Sequence, residues 1–253
     1  MRKLLVIFTF GLFAIGCATK DSVVYFQEPE ELEGYENVMD YEPVIQKNDV
    51  LRINVSSIDQ DLVRPFQRNS GGQLGGGLSS QNLSMSGYMV DSDGYIQFPV
   101  LGEVKVAGFT KKELQQKFQK EIRAYVTDAV VDIRILNFKV TVLGEVGSPG
   151  RVEVQDERIT IPELFAEVGD INYNGKRENI VVIREVDGVK SIGRVDITDS
   201  DVFKNPYFYL KQNDVVYVEP NYGRMKSAGF FGSPGSILSL VSSVLGLILI
   251  LTR

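Results

Sequence analysis

The side chains that could carry chemistry in this chain of 253 residues are carboxylates and a single thiol. The chain contains no histidine and one cysteine, which excludes Ser-His-Asp triads, Cys-His pairs and His/Cys zinc sites. Two carboxylate pairs, Asp59/Asp61 and Asp91/Asp93, have the composition that glycoside cleavage uses, but both lie in polar turn sequence. We therefore predict that the chain is not an enzyme and has no cofactor or metal. A carboxylate-dependent glycosidase or lyase is the alternative.

The one thiol, Cys17, follows an N-terminal apolar segment. Arg2 and Lys3 precede a largely apolar, uncharged run over residues 4–15. At about 1.5 Å per residue this run is too short to cross a bilayer core of ~30 Å. A short apolar run behind two basic residues is typical of a signal peptide, which we predict over residues 1–16.

The residues around the thiol indicate lipidation. Ala14-Ile15-Gly16-Cys17 resembles the lipobox of bacterial lipoproteins, in which the cysteine becomes the acylated N-terminus. We therefore predict that Cys17 is a lipidation site. Ala18 follows it rather than aspartate, and the resemblance then implies retention in the outer membrane. An ordinary signal peptide followed by a buried cysteine is the alternative.

The C-terminal end is also apolar, because no charged residue occurs from Ser227 to Thr252. Ser233-Pro234 has the pattern of an N-cap followed by proline at the first helical position. A helix over residues 234–251 would be about 27 Å long, enough for a thin bilayer. We predict a membrane helix there, joined by a linker over 221–233. A buried C-terminal core helix is the alternative.

Small residues recur on one side of this predicted helix. Ser236, Ser239, Ser243 and Gly246 follow spacings of three and four residues, which place them on one stripe. Small residues let helices approach closely in lipid. We predict that the stripe is a helix–helix contact or the inward face of a ring of helices, although serine and glycine can simply occupy tolerated positions.

The region between the two ends predicts an α+β fold of two modules, after an acidic lead-in over 17–40. Mixed strands and one helix, which opens with a capping box at Thr110 and Glu113, form the first module over 41–138. It contains a flexible Gly/Ser-rich loop over 67–87. A hairpin is expected around Asp91–Gly94, whose spacing does not fit a calcium loop.

The second module is predicted over residues 139–220. Alternating strands surround one short helix, which begins with a second capping box at Thr160 and Glu163 and can end at Gly169. A mixed sheet that wraps one helix of this size is typical of a β-grasp domain.

Long ordered strings in both modules resemble the polysaccharide export outer-membrane lipoprotein family. Residues 87–102 read Gly-Tyr-Met-Val-Asp-Ser-Asp-Gly-Tyr-Ile-Gln-Phe-Pro-Val-Leu-Gly, and residues 41–53 resemble the family's N-terminal export motif with Asn48 in a glycine position. Residues 142–150 and 213–220 resemble its soluble-ligand-binding β-grasp (SLBB) domain. Larger relatives carry a second β-grasp module and an amphipathic C-terminal helix, whereas this helix is mainly aliphatic.

The resemblance implies that identical copies form a ring which exports capsular or extracellular polysaccharide from the periplasm to the cell surface. It also implies an inner-membrane partner, a polysaccharide co-polymerase or tyrosine autokinase, and a location in the outer membrane with most of the chain periplasmic. A net charge of −6 disfavours nucleic acid as a partner. A non-conducting, lipid-anchored scaffold of the export machinery is the alternative function.

Overall fold

A computed structural model of the chain describes residues 23–27, 42–68, 87–186, 188–221, 235 and 238–243. The predicted signal peptide, Cys17 and most of the acidic lead-in lie outside these residues. Loop 67–87 is described only at its ends, where the guanidinium of Arg68 donates to the carbonyl of Gly87 and lies 5.3 Å from the centroid of the Tyr88 ring.

The first module is a small antiparallel sheet with one long helix. Strand β1 (Val50–Ser56) lies between β2 (Tyr88–Met89) and β5 (Val130–Ile135), and both pairings are antiparallel. Strands β3 (Tyr95–Phe98) and β4 (Gly102–Lys105) form a separate hairpin. A short helix α1 (Gln60–Val63) and a 3₁₀ turn (Arg64–Phe66) follow β1.

Helix α2 (Lys111–Ile122) closes the core of the first module. Its N-terminus carries the predicted capping box, in which the Thr110 hydroxyl accepts from the Glu113 N–H and the Glu113 carboxylate accepts from the Thr110 N–H. Leu114, Phe118 and Ile122 are fully buried on one face. The apolar helical face that was predicted from the four-residue spacing of these side chains is confirmed.

The sequence predicted that the strands on either side of Asp91–Gly94 pair with each other as a hairpin, and this pairing is wrong. The turn itself is present, since Asp91 Oδ1 accepts from the Tyr95 N–H at 2.8 Å and Gly94 has a φ of 88°. However, β2 pairs with β1, and the Val90 N–H donates to the Asp49 carbonyl at 2.8 Å. Because the backbone groups at β2 are used by β1, β3 pairs with β4 instead.

The second module contains a mixed five-stranded sheet in the order β10-β9-β12-β6-β7. The two strands that come first and last along the chain, β6 (Lys139–Gly144) and β12 (Val215–Pro220), are neighbours in the sheet and run parallel. The remaining neighbouring strands are antiparallel. The other strands are β7 (Gly150–Glu153), β9 (Gly175–Val186) and β10 (Val189–Val195). The mixed sheet expected from the sequence is present.

Helix α3 (Ile161–Glu167) packs beneath this sheet. The predicted capping box at Thr160 and Glu163 is confirmed, and Gly169 follows the helix with a φ of 77°. Short strands β8 (Ile159–Thr160) and β11 (Tyr209–Leu210) pair at the helix N-terminus, and a 3₁₀ turn spans Ser200–Lys204. Buried side chains of both modules form one continuous apolar cluster.

The predicted C-terminal helix is described only in part. Residues 235 and 238–243 are helical, and their side chains are exposed. In the described portion of the chain, no helix is both long enough and apolar enough to cross a membrane. Most of the predicted span 234–251, including Ser236 and Gly246 of the small-residue stripe, lies outside that portion.

Gly144 tests how tightly β6 and β12 are packed. Its φ is 96°, and a Cβ added to it would lie 2.0 Å from the Val218 carbonyl oxygen. We expect Gly144→Ala to lower the free energy of unfolding by at least about 3 kcal/mol, measured by urea denaturation, because the two parallel strands would have to separate.

Gly102→Ala is the matched control. Gly102 also has a positive φ, 74°, but no atom lies within 4 Å of an added Cβ. We expect this variant to lower the free energy of unfolding by only about 1–2 kcal/mol, the cost of a left-handed backbone conformation for a residue with a Cβ atom. Equal losses for the two variants would contradict the close approach of β6 and β12.

Candidate functional site

In each carboxylate pair that the sequence singled out, the first aspartate, Asp59 or Asp91, caps a turn. Asp59 Oδ1 accepts from the Asp61 N–H at 3.0 Å and caps α1, while Asp61 pairs with Arg64 on the surface. Asp91 accepts from the N–H groups of Tyr95 and Asp93, and these donors hold the pKa of its carboxyl below the usual range. These acids are therefore used to fix loops. Among the described residues, no cluster of three His, Cys, Asp or Glu side chains could hold a metal ion.

A cleft of about 750 Å³ lies between the two modules. Its walls come from the segment before β1, the end of β5, the tip of the β9–β10 hairpin and the turn before β12. None of the residues that line it carries a hydroxyl or thiol: Pro43, Val44, Ile45, Gln46, Lys47, Asn48, Asp49, Ala107, Gly108, Ile135, Phe138, Glu185, Val186, Gly188, Lys211, Gln212 and Asn213. The lining offers amides, amines and carboxylates for hydrogen bonding.

Two turns of the same construction meet at this cleft, one before β1 and one before β12. In the first, the Asp49 carboxylate accepts from the Gln46 N–H at 2.8 Å; in the second, the Asp214 carboxylate accepts from the Lys211 N–H at 2.8 Å. The preceding residue is asparagine in both turns, with φ values of 67° and 65°. Asparagine tolerates this left-handed conformation better than most residues.

The two turns differ in the second carboxylate oxygen. Asp214 is fully buried and forms an ion pair with Arg184, whose Nη2 lies 2.7 Å from Oδ2 and whose Nε donates to Oδ1 at 3.0 Å. Asp49 is 1% exposed, and its Oδ1 has no hydrogen-bond partner among the described residues. Burial raises the pKa of Asp49 to about 6, against the opposing effects of the Gln46 N–H and the Gln212 side chain. The first module therefore holds a buried acid that has no ion-pair partner among the residues that the structure describes.

The connection between the modules is held by side-chain amides. Asn137 accepts from the Val50 N–H at 2.8 Å and donates to the Asn48 carbonyl at 3.0 Å. Gln212 accepts from the Lys139 N–H and donates to the Asn137 carbonyl, both at 2.8 Å. These bonds tie both turns to the connection between β5 and β6.

A carboxylate adds a third tie between the modules. Glu157, in the second module, forms an ion pair of 2.5 Å with Lys111 of α2. Its other oxygen accepts from the Ile135 N–H at the end of β5, at 2.9 Å. Glu157 is largely shielded from solvent, which favours a fixed orientation of the two modules.

The outer face of the five-stranded sheet carries exposed apolar residues in register. Ile192, Ile183 and Val215 are neighbours across β10, β9 and β12. A second row places Tyr217 between Val181 and Leu143. The exposed fractions are 67% for Ile192, 47% for Leu143 and 36% for Tyr217. An apolar sheet face of this kind can bind another protein surface.

Sequence reasoning identified neither the cleft nor the two matching turns, although a signal was available. Residues 46–50 read Gln-Lys-Asn-Asp-Val and residues 211–215 read Lys-Gln-Asn-Asp-Val. The repeated Asn-Asp-Val predicts the same turn twice.

The site residues that were predicted from the sequence lie elsewhere. Cys17, Ser236 and Gly246 lie outside the described residues, and Ser239 and Ser243 lie on the exposed helix segment 238–243.

The described residues define a two-module α+β protein whose conspicuous features are an interdomain cleft and an apolar sheet face. Comparison with family models assigns both modules. The model of the polysaccharide biosynthesis/export protein matches residues 37–136, and the model of the SLBB domain matches residues 138–218. The two matches together support assignment of the chain to the polysaccharide export family, which is a family of export proteins rather than enzymes.

Two curated relatives support the same assignment. The chain is 32% identical over 165 residues to the EPS I polysaccharide export outer membrane protein EpsA of Ralstonia nicotianae, covering 61% of this chain and 43% of the relative. It is 31% identical over 172 residues to the EpsA protein of Ralstonia solanacearum, covering 63% and 43%. The matched region spans less than half of either relative.

Asp49 should make stability depend on pH. The pKa of its carboxyl is about 6 in the folded chain, against 3.8 when unperturbed. Between these values the folded state keeps a proton that the unfolded state has lost, so the contribution of Asp49 to the free energy of unfolding falls as pH rises, by about 3 kcal/mol in total. Asp49→Asn cannot ionise, and we expect its stability advantage over the wild type to grow between pH 4 and pH 6.5 in urea titrations.

Asp214→Asn is the control in the matching turn. It leaves the Arg184 guanidinium buried without its counterion, so we expect it to destabilise the protein by about 3–5 kcal/mol at neutral pH. A difference between Asp49→Asn and the wild type that stays constant across this pH range would show that Asp49 does not titrate there.

Proposed function

We propose that this protein is an outer-membrane lipoprotein that forms an oligomeric ring and exports capsular or extracellular polysaccharide from the periplasm to the cell surface. The observation that carries the proposal is the pair of family-model matches, export domain then SLBB domain, over residues 37–136 and 138–218. The printed names of both relatives, polysaccharide export outer membrane proteins, support the same function.

A ring is required because one apolar helix per chain cannot enclose an aqueous path through a membrane. Identical copies arranged around a closed symmetry axis can enclose one. The glycan passes through the central lumen unchanged, and its contacts with the wall are weak and repeated, since tight binding would stall a moving polymer. Energy and gating come from an inner-membrane partner, a polysaccharide co-polymerase or tyrosine autokinase.

The anchors of the ring lie at its two ends. Cys17 is the lipidation site after removal of residues 1–16, and it holds the chain at the outer membrane with most of its mass in the periplasm. The C-terminal helix over 234–251 enters the membrane, with the stripe of Ser236, Ser239, Ser243 and Gly246 at the helix–helix contact. In the described segment the hydroxyls of Ser242 and Ser243 donate to the Ser239 carbonyl at 2.9 and 2.8 Å. Hydroxyls satisfied within the helix suit an apolar surrounding.

Contacts between copies outside the membrane use the apolar sheet face of the second module. Ile192, Tyr217 and Leu143 would be covered by the neighbouring copy, which removes apolar area from water at about 25 cal/mol per Å². The flanking Arg151 and Arg194 are exposed and can pair with carboxylates of an acidic neighbour. The fixed orientation of the two modules lets every copy present the same face.

Secretion in the source bacterium tests the export function. Deletion of the gene should leave high-molecular-weight glycan inside the periplasm and remove it from the cell surface, and plasmid-borne wild type should restore it. The measurement is glycan content of surface, periplasmic and medium fractions with an antibody or lectin. Surface glycan that is merely reduced in amount would support the scaffold, and new reducing ends on glycan incubated with purified protein would reveal an enzyme.

The sheet face predicts a specific loss of assembly. Ile192→Lys places a charge on a side chain that is 67% exposed, so it should leave the fold intact but shift the detergent-extracted protein from oligomer to monomer in light-scattering mass measurements. Ile58→Lys, at a side chain 96% exposed in the first module, is the matched control and should remain oligomeric. An unchanged oligomer for Ile192→Lys would exclude this face as the contact.

A further inference from the structure

The N-terminal segment 23–27 is docked on the second module, not on the first module that follows it in sequence. The Phe26 N–H donates to the Ile197 carbonyl at 3.1 Å, and the Gln27 N–H donates to the Thr198 carbonyl at 2.7 Å. The Phe26 ring packs against the Phe203 ring with 5.4 Å between centroids. The lead-in therefore enters the fold along the 197–203 region.

Tyr25 ties this segment to the loop 170–174 that follows α3. Its hydroxyl donates to Asp170 Oδ1, and the Arg177 guanidinium lies 5.4 Å from the centroid of its ring. Arg177 is buried, and its Nη2 donates to the Ile171 carbonyl at 2.6 Å. The same arginine thus contacts both the docked segment and the loop.

The other end of the folded region leaves at the same loop. After β12, the Asn221 N–H donates to the Asn174 carbonyl at 2.6 Å, and the Asn221 side chain donates to the Tyr173 carbonyl at 3.5 Å. Loop 170–174 therefore touches both the incoming segment at Tyr25 and the outgoing chain at Asn221. The Tyr173 side chain between them is 83% exposed.

The length of chain to the lipid anchor limits where this loop can lie. Val23 is six residues after Cys17, and six residues of fully extended chain reach at most about 21 Å. An acyl chain on Cys17 therefore holds the docked segment, and the loop bound to it, within about that distance of the bilayer surface. The outgoing chain at Asn221 leads to the predicted membrane helix from the same side.

We infer that loop 170–174 with the docked segment 23–27 is the membrane-facing surface of the protein, and that Tyr173 lies in the lipid headgroup region. This inference rests on the proposed lipid anchoring. Tyrosine is a side chain that favours this interface, where its ring contacts acyl chains and its hydroxyl contacts water and headgroups. Asp170 accepts a hydrogen bond from the Tyr25 hydroxyl and is exposed, so its carboxylate stays in the hydrated headgroup layer when the loop approaches the lipid.

The absence of tryptophan from the sequence permits a direct test. Tyr173→Trp places the only indole of the full-length, acylated protein at the loop, and Tyr125→Trp places it in the first module, at a side chain 61% exposed. Each variant is reconstituted in phosphatidylethanolamine/phosphatidylglycerol vesicles with or without brominated phosphatidylcholine. We expect blue-shifted emission and at least about twofold quenching by brominated lipid for Tyr173→Trp, and neither effect for Tyr125→Trp.

Flotation of the vesicles in a density gradient separates the possible failures. If the protein floats with lipid but Tyr173→Trp is not quenched, the inference is overturned while lipid anchoring stands. Blue-shifted emission without quenching would place another copy of the chain over the loop, which also overturns it. Quenching of Tyr125→Trp alone would show that the first module, not loop 170–174, faces the membrane, and would overturn the inference. If the protein does not float at all, both the membrane-facing surface and the proposed anchoring fail.

Discussion

The structure depends on how the short connection between β5 and β6 is held. Only residues 136–138 separate the two strands, so their backbone groups must be satisfied while the chain passes from one sheet to the other. The Leu136 N–H donates to the Val50 carbonyl, and the carbonyls of Asn137 and Phe138 accept from the Gln212 side chain and the Val154 N–H. The Asn137 side chain accepts from the Val50 N–H, and Glu157 adds a charged contact to α2. Without these ties the modules would be joined by a hinge. With them, the apolar sheet face and loop 170–174 keep a constant position relative to the first module.

A constant relation between modules matters for a closed assembly. Each copy in a ring must present its two contact surfaces at the same angle, or the ring opens into a spiral. One continuous apolar cluster spans both modules, which makes independent movement of either module costly. In the proposed function the glycan passes without a chemical step. The protein would then act through its shape, through contacts between copies and through attachment to lipid.

Local signals in the sequence predicted local structure well. Both capping boxes, at Thr110 and Thr160, depend on residues three positions apart, and both formed as expected. The partners of β2 could not be predicted in this way, because Asp91–Gly94 specifies a turn but not which strand receives the backbone hydrogen bonds. That choice is made by β1, some 40 residues away in sequence, and by the core it builds.

The candidate site was harder to predict for the same reason. The two Asn-Asp turns are visible as a repeat, but the burial of Asp49 and the pairing of Asp214 with Arg184 exist only after both modules fold and meet. The docked segment at Tyr25 also lies 145 residues from its partner Asp170, beyond the reach of any periodicity. Lipidation of Cys17, by contrast, stays a prediction that needs only the sequence, because signal-peptide processing reads a local motif rather than a folded surface.

Electron microscopy of full-length protein extracted in mild detergent tests the central claim most directly, since it shows assembly, symmetry and module order together. The account predicts closed rings of identical copies, with the second module on the side of the detergent belt and the first module on the far side. Particles that are monomeric in detergent and in native membrane vesicles alike would contradict it.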